Sequence, residues 1–274
     1  MGGAHHDGAA VANHGRPVPM FDDGLAVPRY PAGSGTGAPV APLPLSGHVA
    51  LVSGGSQGLG LRIVRMLAER GMRVVLASRS AHRGRAAVEL LGDLADRVAV
   101  RELDIRDPGS VARLASWLDR RLGRCDVLVN NAAVLIDDDR DGVATVDLEV
   151  VRSTLETNLL GTWRLTQAIV PLMYARRYGR IVNVSSGLAS LAGMRRGLPA
   201  YRASKCAVNA LTRMLADELA SAGILVNACC PGPVHGDPNG ARLSASADAP
   251  VWLATLPDDG PTGGFYRGRT PLDW

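Results

Sequence analysis

The strongest constraint in this sequence is a regular alternation, from His48 onwards, of short apolar runs and longer amphipathic stretches. The apolar runs have the length of strands, and they are His48–Ser53, Arg73–Ala77, Val98–Leu103, Asp126–Asn130, Arg180–Ser185 and Leu225–Cys230. The amphipathic stretches have the length of helices, and they are Leu59–Arg70, Arg83–Leu94, Pro108–Leu122, Leu148–Arg177 and Ala200–Ala222. Apolar runs without polar alternation are typical of strands that are covered on both faces. The pattern predicts an α/β fold, a single doubly wound domain with about seven parallel strands (the last near Gly264–Arg267) and helices on both faces.

Residues 1–45 lack this alternation and contain eight glycines and seven prolines. Glycine and proline interrupt regular structure, so we expect a disordered or loosely ordered extension over residues 1–45. Two interpretations of this extension stay open, a solvated tail and a functional arm. Residues 46–274 are predicted to form the single folded domain.

Composition and charge exclude several classes of protein. No run of about 18 apolar residues occurs, so no transmembrane helix is predicted. The N-terminus lacks the features of a secretory signal, so we expect a cytoplasmic protein without a membrane partner. The formal net charge is +4, but the basic residues are scattered and only 4% of residues are aromatic. A nucleic-acid partner is therefore not expected.

The cysteines show neither CxxC nor metal-ligand spacing, and they are Cys125, Cys206, Cys229 and Cys230. This spacing favours reduced thiols in a cytosolic protein, with no metal site. The adjacent pair Cys229-Cys230 is most simply part of a buried strand, because adjacent cysteines make a strained disulfide.

A glycine-rich turn, Ser53–Gly60, joins the first predicted strand to the first predicted helix. Glycine adopts positive φ and lets the backbone approach a ligand closely. The helix N-terminus adds free N–H groups and the positive end of the helix dipole. Tight turns use glycine in every fold, but this one stands between an apolar strand and an amphipathic helix, as a Rossmann-type dinucleotide-binding domain requires. The turn therefore predicts a pyrophosphate site.

Several further motifs follow this turn in a characteristic order. The turn, with Ser53 in front, resembles TGxxxGxG with Ser in place of Thr. The other motifs are Asn130-Asn131-Ala132-Ala133 (similar to NNAG), Asn158, Ser185-Ser186, the YxxxK pair Tyr201 and Lys205, and Pro231-Gly232. From about residue 46 onwards the chain resembles the short-chain dehydrogenase/reductase family, and in particular its NADPH-dependent carbonyl reductases. The resemblance implies an oxidoreductase that uses a nicotinamide cofactor.

The end of the second predicted strand bears on the choice of cofactor. NAD-preferring folds place an acid there to bind the ribose hydroxyls, but this strand ends Ala77-Ser78-Arg79 without a carboxylate. A carboxylate would repel a 2′-phosphate, whereas a guanidinium pairs with it. We therefore expect NADP(H), although Arg79 is also compatible with an ordinary surface arginine. By the resemblance, Asp104 holds the adenine amino group, and an exposed acid at a strand end is the competing interpretation.

The cofactor-binding residues that the resemblance implies come from several motifs along the chain. They are Gly54, Ser56, Gln57, Gly58, Leu59, Gly60, Ser78, Arg79, Asp104, Ile105, Asn131, Ala132, Tyr201, Lys205, Pro231, Gly232 and Val234.

The chain has 30 lysine and arginine residues, and Lys205 alone among them is a lysine. It follows Tyr201 by four residues, so both side chains share one face of a helix. A nearby cation stabilises a phenolate, and we expect it to lower the pKa of Tyr201 from its ordinary value of about 10. A compact ammonium suits this task better than a planar guanidinium, which explains why one lysine persists in an arginine-rich chain.

Hydride transfer to a carbonyl develops negative charge on oxygen, so such a site needs a proton donor and a hydrogen-bond donor. By the resemblance, Tyr201 donates the proton and Ser186, rather than Ser185, orients the carbonyl. Asn158 would hold a water that relays protons to Lys205. Taken alone, Asn158 is equally compatible with a helix cap or a buried amide.

Together these residues predict NADPH-dependent reduction of a small-molecule ketone or aldehyde to an alcohol, with a bulky, biosynthetic substrate as the leading expectation. Two alternatives stay open, an NAD(P)-dependent secondary-alcohol dehydrogenase acting oxidatively and a dinucleotide-binding interaction module. The chain lacks the insertion of the monomeric animal reductases, so we expect a homodimer or homotetramer formed through the two long helices.

Some positions depart from the family pattern or have an undecided role. Ala133 replaces a glycine, which matters only if the position needs positive φ. His235 stands where the family often has Thr, and contact with cofactor or substrate and a polar loop position are both open. Arg195 and Arg196 lie between Ser186 and Tyr201, where they would line the mouth of the site and favour an anionic substrate.

Overall fold

The computed structural model describes residues 45–232 and 241–274. Its strands are β1 (Val49–Ser53), β2 (Arg73–Ser78), β3 (Val98–Glu102), β4 (Val127–Asn130), β5 (Gly179–Val184), β6 (Ile224–Cys229), β7 (Phe265–Arg267) and β8 (Thr270–Pro271). They form one sheet in the order β3-β2-β1-β4-β5-β6-β7-β8. All neighbouring strands are parallel except β7 and β8, which are antiparallel. The prediction of a doubly wound domain with about seven parallel strands is confirmed, and the short antiparallel β8 is an addition to it.

The helices connect successive strands. They are α1 (Gly58–Glu69), α2 (Ala81–Glu89), α3 (Pro108–Leu122), α4 (Leu148–Leu155), α5 (Thr162–Tyr174), α6 (Pro199–Leu219) and α7 (Ala241–Ala254). The sequence periodicity did not single out α7. Its residues Ala247, Ala249, Val251, Leu253 and Ala254 are all buried. A helix that is apolar on several sides lacks the amphipathic pattern by which helices are recognised in a sequence.

Both faces of the sheet are covered. On one face, apolar residues of α1, α2 and α7 form a single core cluster with residues of the central strands, such as Val52, Leu76 and Val129. The neighbouring strand residues Leu51 and Leu128 lie outside this cluster and are also fully buried. The remaining helices pack in pairs, α3 with α5 and α4 with α6. Burial of consecutive strand residues is the physical reason why the apolar runs show no polar alternation.

Two helices differ from their predicted lengths. The predicted helix over Arg83–Leu94 ends earlier, because Gly92 adopts positive φ and starts a separate 3-10 turn. The predicted continuous helix over Leu148–Arg177 is divided into α4 and α5 by a π-helical turn, Glu156–Gly161. Within that turn the side chain of Asn158 hydrogen bonds to a loop that is distant in sequence, and hydrophobic periodicity carries no trace of such a contact.

The carboxyl ends of the parallel strands lie along one edge of the sheet, where ligands bind in folds of this kind. Ser53, Ser78 and Asn130 end β1, β2 and β4, and Ser185 directly follows β5. The fold therefore places the sequence motifs along a common edge.

Of the segment predicted to be an extension, residues 1–44 lie outside the described residues, and Leu45 begins a 3-10 turn, Leu45–Gly47. Across residues 45–232 and 241–274, no helix is both long and apolar enough to cross a membrane.

Candidate active site and dinucleotide groove

The glycine turn has a backbone shape that side chains would obstruct. Gly54 and Gly58 have φ values of 66° and 52°, in the left-handed region that favours glycine. A Cβ atom on Gly60 would lie 2.2 Å from the carbonyl oxygen of Gly54 and 2.6 Å from Nδ2 of Asn131. The turn is therefore folded so tightly that position 60, the third glycine of the motif, has room only for glycine.

Two polar side chains fasten this turn to the end of β4. The Ser53 hydroxyl donates to the carbonyl oxygen of Val129 (3.3 Å) and accepts from the amides of Asn131 and Ala132 (both 3.0 Å). Nδ2 of Asn131 donates to the carbonyl oxygens of Ser53 (2.9 Å) and Gly54 (3.2 Å). The serine that replaces the family threonine supplies the hydroxyl for these bonds, and the network fixes the turn from within the protein.

The N-terminus of α1 has neither a side-chain cap nor an acidic residue that would compete with a bound anion. Gln57 precedes the helix, and its side chain makes no capping hydrogen bond. The first turn of α1 also contains no acidic residue. The first N–H groups of a helix lack partners within the helix, and together with the helix dipole they bind phosphate. The turn and helix thus fit the pyrophosphate of a dinucleotide.

A groove of about 470 Å³ runs from this turn across the ends of β2, β3 and β4. The predicted cofactor residues that line it are Gly54, Ser56, Gln57, Gly58, Leu59, Gly60, Ser78, Arg79, Asp104, Ile105, Asn131 and Ala132. It is also lined by residues outside the predicted cofactor set, namely Arg83, Leu103, Arg106, Ala133, Val134 and Thr157. Arg83 was detectable in principle, since it lies in the first turn of the helix that follows Arg79.

The other predicted cofactor residues do not line this groove. Tyr201, Lys205, Pro231 and Gly232 belong to the part of the sheet edge formed by β5, α6 and β6. Val234 and His235 lie outside the described residues, which break off after Gly232 and resume at Ala241.

The end of β2 contributes hydroxyl and guanidinium groups to the groove. The Ser78 hydroxyl is buried, donates to Oγ of Ser56 (3.0 Å) and accepts from the amide of Ser80 (3.3 Å). Arg79 and Arg83 are exposed and line the groove beside it. No carboxylate ends this strand, so the groove offers cations where NAD-preferring folds offer an acid.

Asp104 lines the groove, and its carboxylate is already engaged by Arg106. The guanidinium of Arg106 donates from Nη2 to Oδ2 of Asp104 (2.7 Å) and from Nε to Oδ1 (3.1 Å). This hydrogen bonding holds the pKa of Asp104 below its ordinary value, although burial works in the opposite direction. Asp104 is therefore an anion, with Arg106 as its partner.

The π-helical turn between α4 and α5 places Asn158 in the interior, with 1% of its surface exposed. Its Oδ1 accepts from the amide of Val134 (2.8 Å), and its Nδ2 donates to the carbonyl oxygen of Val134 (2.9 Å) and to Oγ of Ser204 (3.0 Å). The side chain thus connects the loop after β4 to helix α6. Isolated π turns are frequent at functional sites.

The two adjacent serines after β5 have different environments. Ser185 is buried, and its hydroxyl donates to the backbone carbonyl oxygen of Lys205 (3.4 Å). Ser186 is partly exposed, and its hydroxyl accepts from the amide of Leu188 (3.2 Å) and lowers the pKa of the Tyr201 phenol. Of the two serines, only Ser186 affects the tyrosine in this way.

Lys205 points into the protein from α6, on the same side as Tyr201. Its ammonium group donates to the carbonyl oxygen of Val184 (2.7 Å) and lies 5.8 Å from the centre of the Tyr201 ring. Burial lowers the pKa of Lys205 to about 8. The lysine therefore still carries its charge at neutral pH and loses it at mildly alkaline pH.

The pKa of Tyr201 differs in direction from the sequence-based expectation. Burial raises this pKa above its ordinary value, and the hydrogen bond with Ser186 only partly opposes the rise. The nearby side chains of Cys230 and Asp137 raise the pKa of Tyr201 further. The physical reason for the difference is desolvation, which favours the neutral phenol and which residue spacing does not reveal.

The positions that departed from the family pattern have plain structural outcomes. The residues with positive φ other than glycine are, within the described ranges, Arg177 and Leu198, so Ala133 has an ordinary backbone conformation. Arg195 and Arg196 are exposed. The thiol of Cys230 is buried and accepts from the amide of Gly187 (3.1 Å), which brings the end of β6 beside Ser186.

The fold and this site can be compared with known proteins. The sequence profile of the short chain dehydrogenase family (adh_short) matches residues 48–246. The chain is 38% identical over 199 residues to oxidoreductase UcpA of Escherichia coli strain K12, covering 70% of this chain and 71% of that protein. It is 34% identical over 277 residues to carbonyl reductase [NADPH] 3 of Mus musculus, covering 83% of this chain and 98% of that protein.

Among solved structures, menthone neomenthol reductase from Mentha piperita superimposes with a TM-score of 0.67 and 28% sequence identity, covering 80% of this chain and 97% of that one. The family profile matches most of the chain and agrees with the sheet order and the glycine turn. The chain belongs to the short-chain dehydrogenase/reductase family, and it is an oxidoreductase of that family that resembles carbonyl reductases.

Proposed function

We propose that this chain is an NADPH-dependent carbonyl reductase that converts a ketone or aldehyde into an alcohol. The observation that carries the proposal is the placement of Tyr201, with the Lys205 ammonium 5.8 Å from its ring and Ser186 nearby, on the sheet edge that also holds the dinucleotide groove. The similarity to carbonyl reductase [NADPH] 3 of Mus musculus supports the same reaction class.

Preference for NADPH over NADH rests on the charge at the end of β2. Ser78 provides a hydroxyl there, and Arg79 and Arg83 provide guanidinium groups. A guanidinium binds a phosphate with two parallel hydrogen bonds, whereas a neutral ribose hydroxyl gains much less from it. The 2′-phosphate of NADP(H) fits this set better than the free hydroxyl of NAD(H).

The dinucleotide would occupy the groove with its pyrophosphate at the N-terminus of α1, against Gly54 and Gly60. The tight backbone of that turn fits such a group, because a Cβ on Gly60 would clash with the turn itself. The bound nicotinamide supplies the hydride. The adenine would contact Asp104 and Ile105. The nicotinamide and its ribose would contact six residues, namely Asn131, Ala132, Pro231, Gly232, Val234 and Lys205.

The proton would come from the chain's own residues. The raised pKa keeps Tyr201 protonated at neutral pH, so its hydroxyl is ready to donate to the carbonyl oxygen. The Ser186 hydroxyl donates a second hydrogen bond to that oxygen and stabilises the charge that develops there. The Lys205 ammonium stabilises the phenolate that forms when Tyr201 has given up its proton. Asn158, from the π turn, would hold the water through which Tyr201 regains a proton.

The substrate we propose is a bulky, largely apolar carbonyl compound. Large apolar side chains are exposed on the loop after β4 and on the segment after β5, namely Leu135, Ile136, Leu191 and Met194. Exposed apolar side chains of this size are suited to contact an apolar ligand. The structural similarity to a reductase named for menthone is consistent with such a substrate.

The test is consumption of NADPH with a panel of small and bulky ketones and aldehydes, using Ser186→Ala and the neighbouring Ser185→Ala as a matched pair. We expect turnover by the wild type and a loss of about 10²–10³-fold in kcat for Ser186→Ala, because a donor to the developing oxyanion is removed. Ser185→Ala should retain most of the activity. Equal loss in both variants, or no turnover of any carbonyl by the wild type, would contradict the proposal.

The oxidative alternative, a secondary-alcohol dehydrogenase, uses the same residues in the reverse direction. It is distinguished by initial rates measured in both directions at neutral pH with both cofactors. Faster oxidation with NAD than reduction with NADPH would favour that alternative.

We further propose that residues 46–274 are the catalytic domain and that the protein acts in the cytoplasm as a homodimer or homotetramer. Exposed apolar residues lie on the helices expected to pair, namely Leu148 on α4, Leu160 in the π turn, Trp163 on α5 and Met214 on α6. Light scattering of the wild type and of Trp163→Arg tests the assembly, with a shift to lower mass expected for the variant. A fragment that lacks residues 1–45 should retain turnover, whereas an interaction module would lose its partner.

A further inference from the structure

A single acidic residue links the loop after β4 to the start of the helix that carries Tyr201. Asp137 is 5% exposed, and its Oδ2 accepts from the amides of Ala200 (2.7 Å) and Tyr201 (3.1 Å). These amides lie in the first turn of α6, where backbone N–H groups lack helical partners and the dipole favours a negative charge. The carboxylate therefore caps α6 from a loop more than sixty residues earlier in the chain.

The backbone of the same loop braces the residues just before α6. The carbonyl oxygen of Asp138 accepts from the amide of Leu198 (3.1 Å). Gly197 lies so close to Asp139 that a Cβ on it would be 2.7 Å from the Asp139 carbonyl oxygen. Leu198 itself has a φ of 53°, an unfavourable conformation for a branched side chain, and such strain persists only where the surroundings fix it.

The position of α6 decides where the Tyr201 hydroxyl stands. Further along the helix, the Ser204 hydroxyl donates to the carbonyl oxygen of Tyr201 (2.7 Å) and accepts from Asn158. The tyrosine backbone is thus held from both sides, by Asp137 at its amide and by Ser204 at its carbonyl. Of these contacts, the Asp137 carboxylate alone brings a charge close to the phenol.

We propose that Asp137 is a positioning residue for Tyr201, because its carboxylate fixes the start of α6 and thereby sets the phenol against Ser186. The proposal rests on the function proposed above, and it assigns Asp137 no contact with substrate or cofactor. Three charged or titratable side chains lie near the Tyr201 phenol. They are Asp137 in the loop after β4, Lys205 on α6 and Cys230 directly after β6.

A side chain that only caps the helix needs no charge, and burying an uncharged cap costs less free energy than burying a carboxylate. Oδ1 of Asp137 is buried and has no hydrogen-bond partner among the described residues. An unsatisfied buried oxygen is unfavourable, and more so when it belongs to a charged group. An asparagine could accept the same two amide hydrogens without that charge. A negative charge at this position also favours the protonated phenol of Tyr201 over the phenolate.

The experiment compares Asp137→Ala and Asp137→Asn with Asp139→Ala and Asp139→Asn. Asp139 belongs to the same loop, and its side chain is exposed. We expect Asp137→Ala to lower kcat about 10–100-fold, as a misplaced catalytic group does, with the affinity for NADPH unchanged. Asp137→Asn should restore most of kcat, since the amide oxygen caps the helix. The Asp139 variants should behave like the wild type.

The pH profile separates positioning with a charge effect from a merely structural role. Loss of the negative charge in Asp137→Asn lowers the pKa of Tyr201, so the alkaline fall in the reduction rate should move to lower pH. The same change is measured without turnover, as the tyrosinate absorbance of each protein titrated against its Tyr201→Phe counterpart. This titration stays informative if Asp137→Ala fails to fold. It also stays informative if the wild type reduces no carbonyl, an outcome that would contradict the proposed function but not the positioning role of Asp137.

The inference is overturned if Asp137→Ala has the kcat of Asp139→Ala, or if the tyrosine titration is the same in the wild type and in Asp137→Asn.

Discussion

The two parts of the sheet edge are organised differently. The dinucleotide turn is fastened by residues of two sequence motifs, with Ser53 of the turn and Asn131 at the end of β4 bonding to the backbone of the turn and of β4. The proposed catalytic residues depend on partners outside their motifs. Tyr201 is held by Asp137, and Lys205 donates to the backbone of Val184. The contacts that hold the turn are therefore made by residues that the motifs name, whereas the geometry around Tyr201 and Lys205 depends on residues that no motif names.

The two parts also differ in electrostatics. The groove is open and lined by exposed guanidinium groups, with Arg106 already paired to Asp104. On the catalytic side burial dominates, since it raises the pKa of Tyr201 and lowers that of Lys205 to about 8. In the proposed mechanism, charge selects the cofactor in the first part, and desolvation sets the proton affinity of Tyr201 and Lys205 in the second. Substitutions in one part should therefore leave the function of the other largely intact.

The largest effect on catalysis is expected for Lys205→Arg. The guanidinium keeps the charge but is planar and too wide for the buried position beside Val184. We expect kcat to fall about 10²–10⁴-fold, the usual range for loss of acid–base function. Steady-state kinetics measure kcat, and a fluorescence titration with NADPH measures binding. Retention of kcat within a factor of a few would contradict the role of a compact ammonium.

A comparable but separate effect is expected on cofactor binding for Gly60→Ala. The added Cβ would lie 2.2 Å from the Gly54 carbonyl oxygen, so the turn must open. We expect the affinity for NADPH to fall about 100-fold, as a displacement of about 1 Å can cause. Gly47→Ala is the matched control, because a Cβ there meets nothing within 4 Å. Equal affinities in the two variants would show that the turn does not bind the dinucleotide.

A smaller and selective effect is expected for Arg79→Ala. Loss of a charge-assisted hydrogen bond should weaken NADPH binding about 10–100-fold and leave NADH binding unchanged. Arg85→Ala, an exposed arginine on α2 that does not line the groove, serves as the control. Parallel titrations with both cofactors give the ratio of the NADPH and NADH affinities. Equal weakening of NADPH and NADH binding would show that Arg79 does not bind the 2′-phosphate.

The smallest effect concerns stability rather than activity. The pKa of Lys205 is about 8 in the folded chain and about 10.4 when unfolded. Between these values the unfolded chain binds more protons, so the free energy of unfolding attributable to Lys205 rises with pH. Relative to Lys205→Met, the wild type should gain about 1 kcal/mol between pH 7 and pH 9. Chemical denaturation at both pH values measures it, and a relative stability that does not change with pH would show that the lysine is solvated in the folded chain.

The sequence was sufficient for the sheet, because buried parallel strands leave unalternated apolar runs such as Val127–Asn130. It was also sufficient for the glycine turn and for most of the groove. It did not reveal the π turn around Asn158, the burial that raises the pKa of Tyr201, or the cap from Asp137. Each of these depends on contacts between distant segments or on desolvation, and neither leaves a periodic signal in the chain.

The central claim is that binding of the cofactor's phosphates and proton transfer reside in separable parts of one edge of the sheet. The most direct test measures NADPH affinity and NADPH-dependent carbonyl turnover together in the wild type and in Tyr201→Phe. We predict equal NADPH affinity in both proteins and, in the variant, a kcat lower by about 10²–10⁴-fold. Turnover that survives in Tyr201→Phe, or NADPH binding that is lost together with turnover, would contradict the claim.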